Sequence, residues 1–389
     1  MNVIHLITGR GPTGPAAAAM LDVKALRAAG HNAWICSRSG SGLDDACKAE
    51  DIPYIGGVKL GRGALRLFGL PADVRKLREI LREFRADVIH VHRSDDQLTA
   101  GAALGRTATT KLYRTWHRDP RSLPRPLLAR LASHAEGCLG VARAYAEALD
   151  KAGARASTFL HAAVDVDVFT PDRRQQWAQA ARGFFEKDAA LPADSTFVAG
   201  HVGRWKRDKH GRDRGQLAAL QIFARAHESE LSGPRKNAAW QGWVVGRGEM
   251  AADLRREAFE RLLLPPSRVR LIEAAEHAPA AFAALLSRID LGLVFVPGSD
   301  GTSRAAVEML ACGVPLLVAD LPGLRELAEK TECARCLPVD RPEEWSEALQ
   351  QFLKMPAEQR EKLRRGARDR AEAQHSLKAR GEALAEFYR

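Results

Sequence analysis

The chain has 389 residues, which is too long for one hydrophobic core and fits two domains. Its 46% hydrophobic and 28% charged residues are ordinary for a globular protein and exclude a largely disordered chain. The formal charge of +11, of which residues 1–170 contribute near +7, indicates an anionic partner: phosphate groups, an acidic glycolipid or a membrane surface. Nucleic acid is not expected, because no basic motif interleaved with aromatic residues is present.

Targeting and cysteine patterns narrow the location of the chain. The longest nearly apolar run, Leu291–Pro297, is far shorter than the roughly 18–20 residues that cross a bilayer. The N-terminal apolar stretch Val3–Ile7 is too short for a signal peptide, so we predict a cytoplasmic protein. Six cysteines are then expected to be reduced. The pair Cys333 and Cys336 forms a lone CxxC, which is either a functional pair or two thiols near a strand.

In the first half, short apolar segments alternate with amphipathic ones. The predicted strands are Val3–Thr8, Ala33–Ser37, Asp87–His92, Lys111–Trp116, Gly137–Val141 and Ser157–Leu160. The predicted helices are Pro15–Ala29, Ala72–Phe84, Gln97–Leu104, Pro126–Ser133 and Arg143–Lys151. Such alternation is typical of a parallel sheet with helices on both faces.

Residues 170–194 interrupt this alternation and are predicted to be a linker region with a short helix. The alternation then resumes. The next predicted strands are Phe197–Gly203, Ala239–Val245, Val269–Ile272, Leu291–Val296 and Val314–Ala319. The next predicted helices are Arg214–Ser229, Ala251–Leu263, Pro279–Leu286, Ser303–Ala311, Glu343–Leu353 and Ala357–Ala373. We therefore predict an α/β fold with two doubly wound, Rossmann-like domains, residues 1–170 and 195–374, that bind ligands at the carboxyl ends of their strands.

The segment Leu291–Leu327 is the most informative part of the sequence. A buried strand is followed by a Gly-rich loop, and a helix starts near Thr302 and Ser303, which are good N-cap residues. Gly313 is predicted to end that helix. The free N–H groups and the positive dipole end of such a helix suit a diphosphate.

Three further residues of this segment suit a nucleotide-sugar. Gly301 lets the backbone approach the ligand closely. Asp300 can accept hydrogen bonds from sugar hydroxyls, and Glu308, about two helical turns on, can accept them from ribose hydroxyls.

Asp300, followed after seven residues by Glu308 and then by Gly313 and Pro315, resembles the hallmark of the retaining GT-B glycosyltransferases of family 4 (glycosyl transferases group 1). Asp stands here for the family's usual Glu. The resemblance covers residues 3–388 and implies two facing Rossmann-like domains. It also implies that the last helix, within residues 377–389, crosses back onto the N-terminal domain. The N-terminal domain would bind the acceptor and the C-terminal domain the nucleotide-sugar donor.

Two strand ends of the second half add to this resemblance. Arg204, with Lys209 five residues later, resembles the family's cations that hold the donor pyrophosphate and stabilise the leaving nucleoside diphosphate. The alternative is a plain solvated basic loop. The stretch Trp243–Gly248 resembles the next strand end, which would place Gly246 near the base.

The first half matches more weakly. Gly11–Pro15 resembles the family's Gly-rich first loop, so Gly14 is predicted to face the donor phosphate. Asp87–His92 resembles the strand that carries a histidine pair, and Arg114–His117 resembles the strand that ends in a cleft histidine. His117 is therefore a candidate catalytic residue, although a lone histidine is more often structural.

Residues 59–85 carry eight Lys and Arg side chains between apolar residues. They are either a surface that rests on anionic lipid at the inner face of the membrane or a core helix with a solvated basic face. Arg118, Arg121 and Arg125, after His117, are candidates to meet phosphates on the acceptor.

The resemblance implies hexosyl transfer with retained configuration to an envelope polysaccharide, a lipopolysaccharide core or another glycan or glycolipid. Asp300, Arg204, Lys209 and His117 are the predicted catalytic residues; Gly14, Gly246, Gly301, Thr302, Ser303 and Glu308 are predicted to bind the donor. No metal and no cofactor besides the donor substrate are expected, because cations and helix dipoles can carry the diphosphate charge. A sugar-nucleotide epimerase and a non-catalytic nucleotide-sugar-binding protein on the same fold are the alternatives.

Overall fold

The computed structural model describes residues 1–8, 11, 13–59, 66–105, 109–184, 191–208, 210–232, 239–274, 279–296 and 303–389. These residues form two compact units. Unit 1 comprises Met1–Ala163 with Gln374–Arg389, and unit 2 comprises Val164–Pro297 with Ser303–Ala373. Each unit is built around one parallel sheet.

Unit 1 contains a seven-stranded sheet of order β3-β2-β1-β4-β5-β6-β7. Its strands are β1 Asn2–Leu6, β2 Asn32–Cys36, β3 Tyr54–Ile55, β4 Val88–Val91, β5 Lys111–Trp116, β6 Gly137–Gly140 and β7 Ser157–Phe159. Its first helices are α1 Gly14–Ala28, α2 Gly42–Ala49, α3 Arg66–Glu83, α4 Ser94–Leu104, α5 Arg125–Ser133 and α6 Arg143–Lys151. All strands run parallel, and the order in which they are added along the sheet reverses between β1 and β4, where ligands of such sheets bind.

Both faces of this sheet are apolar, as a parallel sheet covered by helices requires. On one face Ile4, Ile89 and Leu112 belong to one buried cluster. On the other face Val3 and Val88 belong to a second buried cluster.

Unit 2 contains a six-stranded sheet of order β10-β9-β8-β11-β12-β13. Its strands are β8 Phe197–Val202, β9 Trp240–Gly246, β10 Val269–Glu273, β11 Leu291–Val294, β12 Leu316–Ala319 and β13 Ala334–Leu337. Its helices are α7 Trp177–Ala181, α8 Gln216–Ser232, α9 Ala251–Arg255, α10 Pro279–Ser287, α11 Arg304–Ala311, α12 Pro342–Lys354 and α13 Ala357–Arg370. The order reverses between β8 and β11.

The last helix, α14 Leu377–Phe387, belongs to unit 1 and packs on α1, as predicted. Arg380 donates from Nε and Nη2 to the carboxylate of Asp22 over 2.8 and 3.2 Å, and both side chains are buried. Gly381 permits the close approach, because a Cβ there would lie 2.1 Å from the carbonyl oxygen of Ala25.

The predicted linker is a packed part of unit 2. Within the described part of residues 170–194, a 3₁₀ turn over Pro171–Gln176 and helix α7 both lie on α10. Arg174 donates to Ser287 O and pairs with Asp290 over 3.0 Å, and Trp177 is buried. The polar composition of this segment reflects its ion pair with the rest of unit 2 and does not indicate an unpacked linker.

Several predicted bounds differ from the structure for identifiable reasons. Helix α3 starts at Arg66 rather than Ala72, because Pro71 lies inside the helix instead of opening it. Helices predicted to run to Leu263 and Ala373 end in π turns over Arg256–Arg261 and Ala371–His375. Helix α2 and strands β3 and β13 were not predicted, and of these only β3, with two residues, is too short to show a period in the sequence.

Candidate functional site

The carboxyl ends of β8 and β9 are joined by backbone hydrogen bonds. Gly203 N donates to Val245 O over 2.9 Å, and Trp205 N donates to Arg247 O over 2.9 Å. The backbone of Gly246 lies against this crossing, since a Cβ there would be 1.9 Å from Gly203 O. The glycine at 246 is therefore required by close backbone packing, whatever it contacts in addition.

Arg204 follows β8 and is held in place through its backbone carbonyl. The carbonyl of Arg204 accepts from Gln216 Nε2 over 2.6 Å, and Gln216 Oε1 accepts from Arg214 N over 2.9 Å. Gln216 is fully buried at the start of α8, where the Asp213 carboxylate accepts from Gly215 N and Leu217 N over 2.8 and 3.0 Å. This arrangement anchors the loop to a helix N-terminus while the Arg204 side chain stays exposed.

The basic loop is not uniform. Arg212 pairs with Asp208 over 2.9 Å, and Arg207 donates to Gly211 O over 3.1 Å, so both cations hold the loop itself. Within the described ranges, the Arg204 side chain makes no hydrogen bond or ion pair to the protein. Among the described cations of this group whose side chains make no bond to the protein, Arg204 is exposed whereas Lys206 and Arg214 are half-buried, so Arg204 is the most accessible to an anionic ligand. Lys209 lies outside the described residues.

Helix α11 follows β11, which pairs with β8 on the side opposite β9. Ser303 is its N-cap and Arg304 its first helical residue, so Glu308 lies little more than one turn inside it, rather than the two turns predicted. Glu308 is buried and pairs with Arg304 Nε over 3.2 Å. Gly313, at φ +71°, ends the helix as predicted.

The residues Gly246, Arg204, Ser303 and Glu308 follow three adjacent strands of unit 2 and therefore share the carboxyl edge of its sheet. Asp300, Gly301 and Thr302 lie outside the described residues. Gln216 and Asp213 were not predicted. Asp213 lies three positions before α8 and directly before the predicted helix start at Arg214, a position where acidic capping residues are common, but nothing in the sequence indicates Gln216.

His117 belongs to unit 1 and ends a row of buried histidines. Its Nε2 lies 3.0 Å from His92 Nδ1, and His92 Nε2 lies 3.0 Å from His5 Nδ1. His90 lies beside this row and instead contacts Tyr388 Oη over 2.6 Å and Thr115 Oγ1 over 2.7 Å. Burial lowers the pKa of His5 to about 4 and lowers the pKa of His90 and His92 well below the ordinary value.

The row follows from strand periodicity. His5 pairs with His90 in the register of β1 and β4, and His92 and His117 follow on the same face at steps of two residues. The sequence analysis singled out His90, His92 and His117 but not His5, Thr115 or Tyr388. The alternation of polar residues on three adjacent strands is the pattern that would have found His5 and Thr115.

The end of β1 carries a second buried polar group. The Asp96 carboxylate accepts from Thr8 N over 3.3 Å and from Thr8 Oγ1. Burial raises the pKa of Asp96 to about 7. Arg93 Nη1 donates to Thr8 O over 2.9 Å. Gly14 is the first residue of α1, close after this point in the chain.

The basic stretch 59–85 is described in part. Leu77, Ile80 and Leu81 of α3 are buried, so this side of the helix belongs to the core. Arg78 donates to Ala102 O and Ala103 O over 2.8 Å each and caps α4. The core-helix interpretation therefore holds for the described apolar side, and a basic face remains exposed.

The remaining sequence features are the cysteines, the arginines after His117, and the possible membrane-spanning and metal-binding groups. All six cysteines are free thiols. Arg121, one of three predicted phosphate contacts, pairs with Asp119 over 2.6 Å. In the described part of the chain, no helix is long and apolar enough to cross a membrane. The same residues contain no group of three or more His, Cys, Asp or Glu side chains arranged to hold a metal ion.

Comparison with protein families gives a match in each half. A model described as Glycosyltransferase Family 4 matches residues 23–168. A model described as Glycosyl transferase-like matches residues 254–386.

Two curated relatives resemble the chain. A GDP-mannose-dependent alpha-(1-6)-phosphatidylinositol dimannoside mannosyltransferase of Mycobacterium tuberculosis is 29% identical over 351 residues, which is 83% of this chain and 76% of the relative. A D-inositol 3-phosphate glycosyltransferase of Jonesia denitrificans is 27% identical over 212 residues, 54% of this chain and 46% of the relative.

Solved structures share the fold. A glycosyltransferase from Rickettsia africae superposes with a TM-score of 0.79 at 14% identity, covering 100% of this chain and 97% of that one. Alr3699/HepE of Anabaena, in complex with UDP and glucose, superposes with a TM-score of 0.70 at 18% identity, covering 100% and 99%. The predicted fold class, GT-B with two doubly wound parallel sheets, is confirmed.

Proposed function

We propose that this chain, which has the GT-B fold, is a glycosyltransferase that moves a hexosyl group from a nucleotide-sugar to an envelope glycan or glycolipid with retained configuration. The mannosyltransferase relative uses GDP-mannose and a phosphatidylinositol mannoside, and the Anabaena structure holds UDP and glucose. These names support a nucleotide-sugar donor and a glycolipid acceptor, and they leave the sugar and the base open. The transfer would take place at the cytoplasmic face of the membrane.

The exposed Arg204 is the single observation that carries the proposal. Its backbone is fixed by the buried Gln216, and its side chain is uncommitted at the carboxyl edge of the sheet. A guanidinium in this position binds a diphosphate by charge-assisted hydrogen bonds, and it stabilises the same group as it leaves. Lys209, Gly301 and Thr302 would act with it, and the N-terminus of α11, which Ser303 caps, would donate further hydrogen bonds.

The two carboxylates would bind different parts of the donor. Glu308, buried inside α11, would accept hydrogen bonds from the ribose, and Asp300, before the helix, would meet the transferred sugar. Gly246 would lie near the base and Gly14 near the phosphate. Unit 1 with α14 would bind the acceptor, whose phosphates would meet Arg118 and Arg125, and His117 would contact the reacting groups.

Retention follows if the acceptor attacks on the side from which the diphosphate leaves. The bond between the anomeric carbon and the phosphate oxygen breaks, the bond to the acceptor oxygen forms, and the leaving phosphate takes the acceptor proton. No protein nucleophile is assigned. Since Arg204, Lys209 and helix dipoles supply positive charge, we propose that no divalent metal is needed.

The reaction itself is the first test. The purified chain is incubated with radiolabelled GDP-mannose or UDP-glucose and with phosphatidylinositol dimannoside or lipopolysaccharide core as acceptor. We expect a labelled glycolipid whose one-bond C1–H1 coupling shows the same anomeric configuration as the donor, with and without excess EDTA. Inversion of the anomeric centre contradicts retention, and loss in EDTA with rescue by magnesium or manganese contradicts metal independence.

The same assay separates the alternatives, which none of the comparisons supports. Epimerised free nucleotide-sugar in the absence of acceptor would identify an epimerase. Donor binding with neither transfer nor hydrolysis would identify a binding protein.

Glu308 and Asp300 should fail differently when neutralised. Glu308→Gln should weaken binding of the free nucleoside diphosphate, because an amide replaces a carboxylate that accepts hydroxyl hydrogen bonds. Asp300→Asn should leave that affinity nearly unchanged and lower turnover, as expected of a contact made mainly with the transferred group. Calorimetry with GDP or UDP and kinetics with the full donor measure the two effects. Equal losses of diphosphate affinity would rule out this division.

A further inference from the structure

Three histidine rings of unit 1 form one continuous hydrogen-bonded row. His5 contributes Nδ1, His92 contributes both nitrogens, and His117 contributes Nε2, with 3.0 Å at each step. The rings lie edge to edge, with centroids 5.3 Å apart and interplanar angles of 29° and 25°. All three side chains are buried.

Each step of the row can hold only one proton. A neutral imidazole carries a single N–H, and a hydrogen bond between two ring nitrogens needs one donor and one acceptor. If His5 donates to His92, the proton of His92 lies on Nδ1 and His92 donates to His117. If His117 donates to His92, the proton of His92 lies on Nε2 and His92 donates to His5. In both cases the tautomer of one ring dictates the tautomer of the next.

The far end of the row is closed. His5 Nε2 is buried, and no hydrogen-bond partner lies near it among the described residues. A proton entering at His117 would have to remain on His5, whose pKa is lowered to about 4 by burial. The row therefore cannot pass protons onward from His117 across the strands. Its effect is to fix the orientation of the rings and the position of their protons.

We propose that His5 and His92 are positioning residues for His117: they hold its Nε2, leave Nδ1 as the nitrogen outside the row, and force all three rings into one shared tautomer. That His117 then acts on substrate rests on the proposed glycosyltransferase function. In the uniform Nδ1–H state His117 is a hydrogen-bond donor at Nδ1, and in the uniform Nε2–H state it is an acceptor there. Either way, a residue on β1 sets the chemistry of a residue after β5.

The chain contains a matched control in His90. It is fully buried on the same face and stacks on His5 and His92 with centroids 4.9 and 5.0 Å away. Its hydrogen bonds go to Tyr388 and Thr115 and not to the row. Replacing His90 therefore removes a ring of the same size from the same place without breaking the row.

The test is the ¹⁵N spectrum of the full chain with labelled histidine, in which protonated and bare ring nitrogens have separate shifts. We expect His5, His92 and His117 of the unmodified chain to show the same tautomer. His92→Leu should shift His117 to a mixture of tautomers, and His5→Leu should do the same more weakly, whereas His90→Leu should leave it unchanged. Different tautomers within the unmodified row, or a His117 spectrum equally affected by His90→Leu, would overturn the proposal.

Turnover provides a second readout. We expect His92→Leu to lower kcat roughly 10- to 100-fold, the scale of a misplaced reacting group, with unchanged affinity for GDP or UDP. His90→Leu should lower kcat much less. The spectrum needs no substrate, so failure of the proposed reaction cannot be mistaken for failure of the row.

Discussion

The role of Arg204 could be predicted only in part from the sequence. From the sequence, six cations between residues 204 and 214 are equally consistent with ligands and with a solvated loop. The structure separates the described ones, because Arg207 and Arg212 bond within the loop, Lys206 and Arg214 are half-buried, and Arg204 is exposed without a side-chain partner. The role of Gln216, which fixes the Arg204 backbone, could not be predicted from the sequence, because glutamine at a helix start belongs to no specific pattern.

Removing the Arg204 guanidinium should weaken binding of a nucleoside diphosphate. We expect Arg204→Ala to lose about 1.5–3 kcal/mol of binding free energy for GDP or UDP, the scale of a hydrogen bond to a charged group. Arg212→Ala, which removes an exposed cation paired with Asp208, is the control and should change affinity little. Equal losses in calorimetry would mean that only the general positive field of the loop matters.

Asp96 should give unit 1 a pH-dependent stability. Its pKa of about 7 in the folded state lies above the value of about 3.9 of an unfolded chain, so the folded state binds the extra proton between these values. Stability contributed by this proton is present below about pH 4 and is lost as the pH rises through 7, by at most about 1.4 kcal/mol per pH unit.

The comparison of Asp96→Asn with the unmodified chain isolates this effect. In denaturant unfolding from pH 5 to 8, followed by hydrogen exchange of the β1 and β4 amides, the free energy of unfolding of the unmodified chain minus that of the variant should fall as the pH rises through 7. His5 acts in the opposite direction, since its lowered pKa makes stability rise between pH 4 and 6.5, but it is common to both chains and cancels. Identical slopes would show that Asp96 is ionised at neutral pH.

At the scale of elements, the sequence predicts long and periodic segments well. Strand Lys111–Trp116 and helix Arg143–Lys151 have the predicted bounds. Strand β3, of two residues, and the edge strand β13 are defined by hydrogen bonds to their neighbours, which no local pattern encodes. Within the site, glycines and cations were predicted from loops, but the lateral contacts that hold them, Gly246 on Gly203 and His5 on His92, join residues far apart in the chain.

The contact of α14 with α1 depends on one buried ion pair. Arg380→Met leaves the Asp22 carboxylate buried without its partner, and we expect a loss of about 3–5 kcal/mol in the free energy of unfolding of unit 1. The double variant Asp22→Leu with Arg380→Met should recover most of it, because no unpaired charge remains. Urea unfolding measures both.

An exposed pair serves as the control for this cycle. Arg155 and Glu136 lie 2.5 Å apart on the surface of the same unit, and Arg155→Met should have little effect. A double variant as unstable as Arg380→Met alone would mean that the packing of the helices, and not the charge pair, dominates.

At the scale of the whole molecule, the charge of +11 and the exposed basic face of α3 favour contact with anionic lipid. Each basic residue near such a surface contributes on the order of 1 kcal/mol, screened by salt. The described apolar side of α3 belongs to the core, so binding should depend mainly on charge.

Liposome flotation tests this expectation. Unmodified protein should float with vesicles that contain acidic lipid, less so as salt increases, and should not float with neutral vesicles. Reversing Arg75, Arg82 and Arg85 to Glu should abolish flotation, whereas the same reversal at Arg256, Arg261 and Lys362 of unit 2 keeps the net charge equal and should retain it. Loss in both variants would indicate a general charge effect, and binding to neutral vesicles would contradict the proposal.

The return of the chain to unit 1 also sets an order of events during synthesis. Tyr388, buried against His90 and Tyr113, and Arg380, paired with Asp22, are made only after all of unit 2 has been synthesised. At about 5–20 residues per second, the first 163 residues wait on the order of tens of seconds for the helix that covers their sheet. During this interval the histidines of β1 and β4 face no Tyr388 and no α14. Unit 1 therefore stays incomplete until the end of synthesis, and this nascent first unit is the part that a chaperone would have reason to shield.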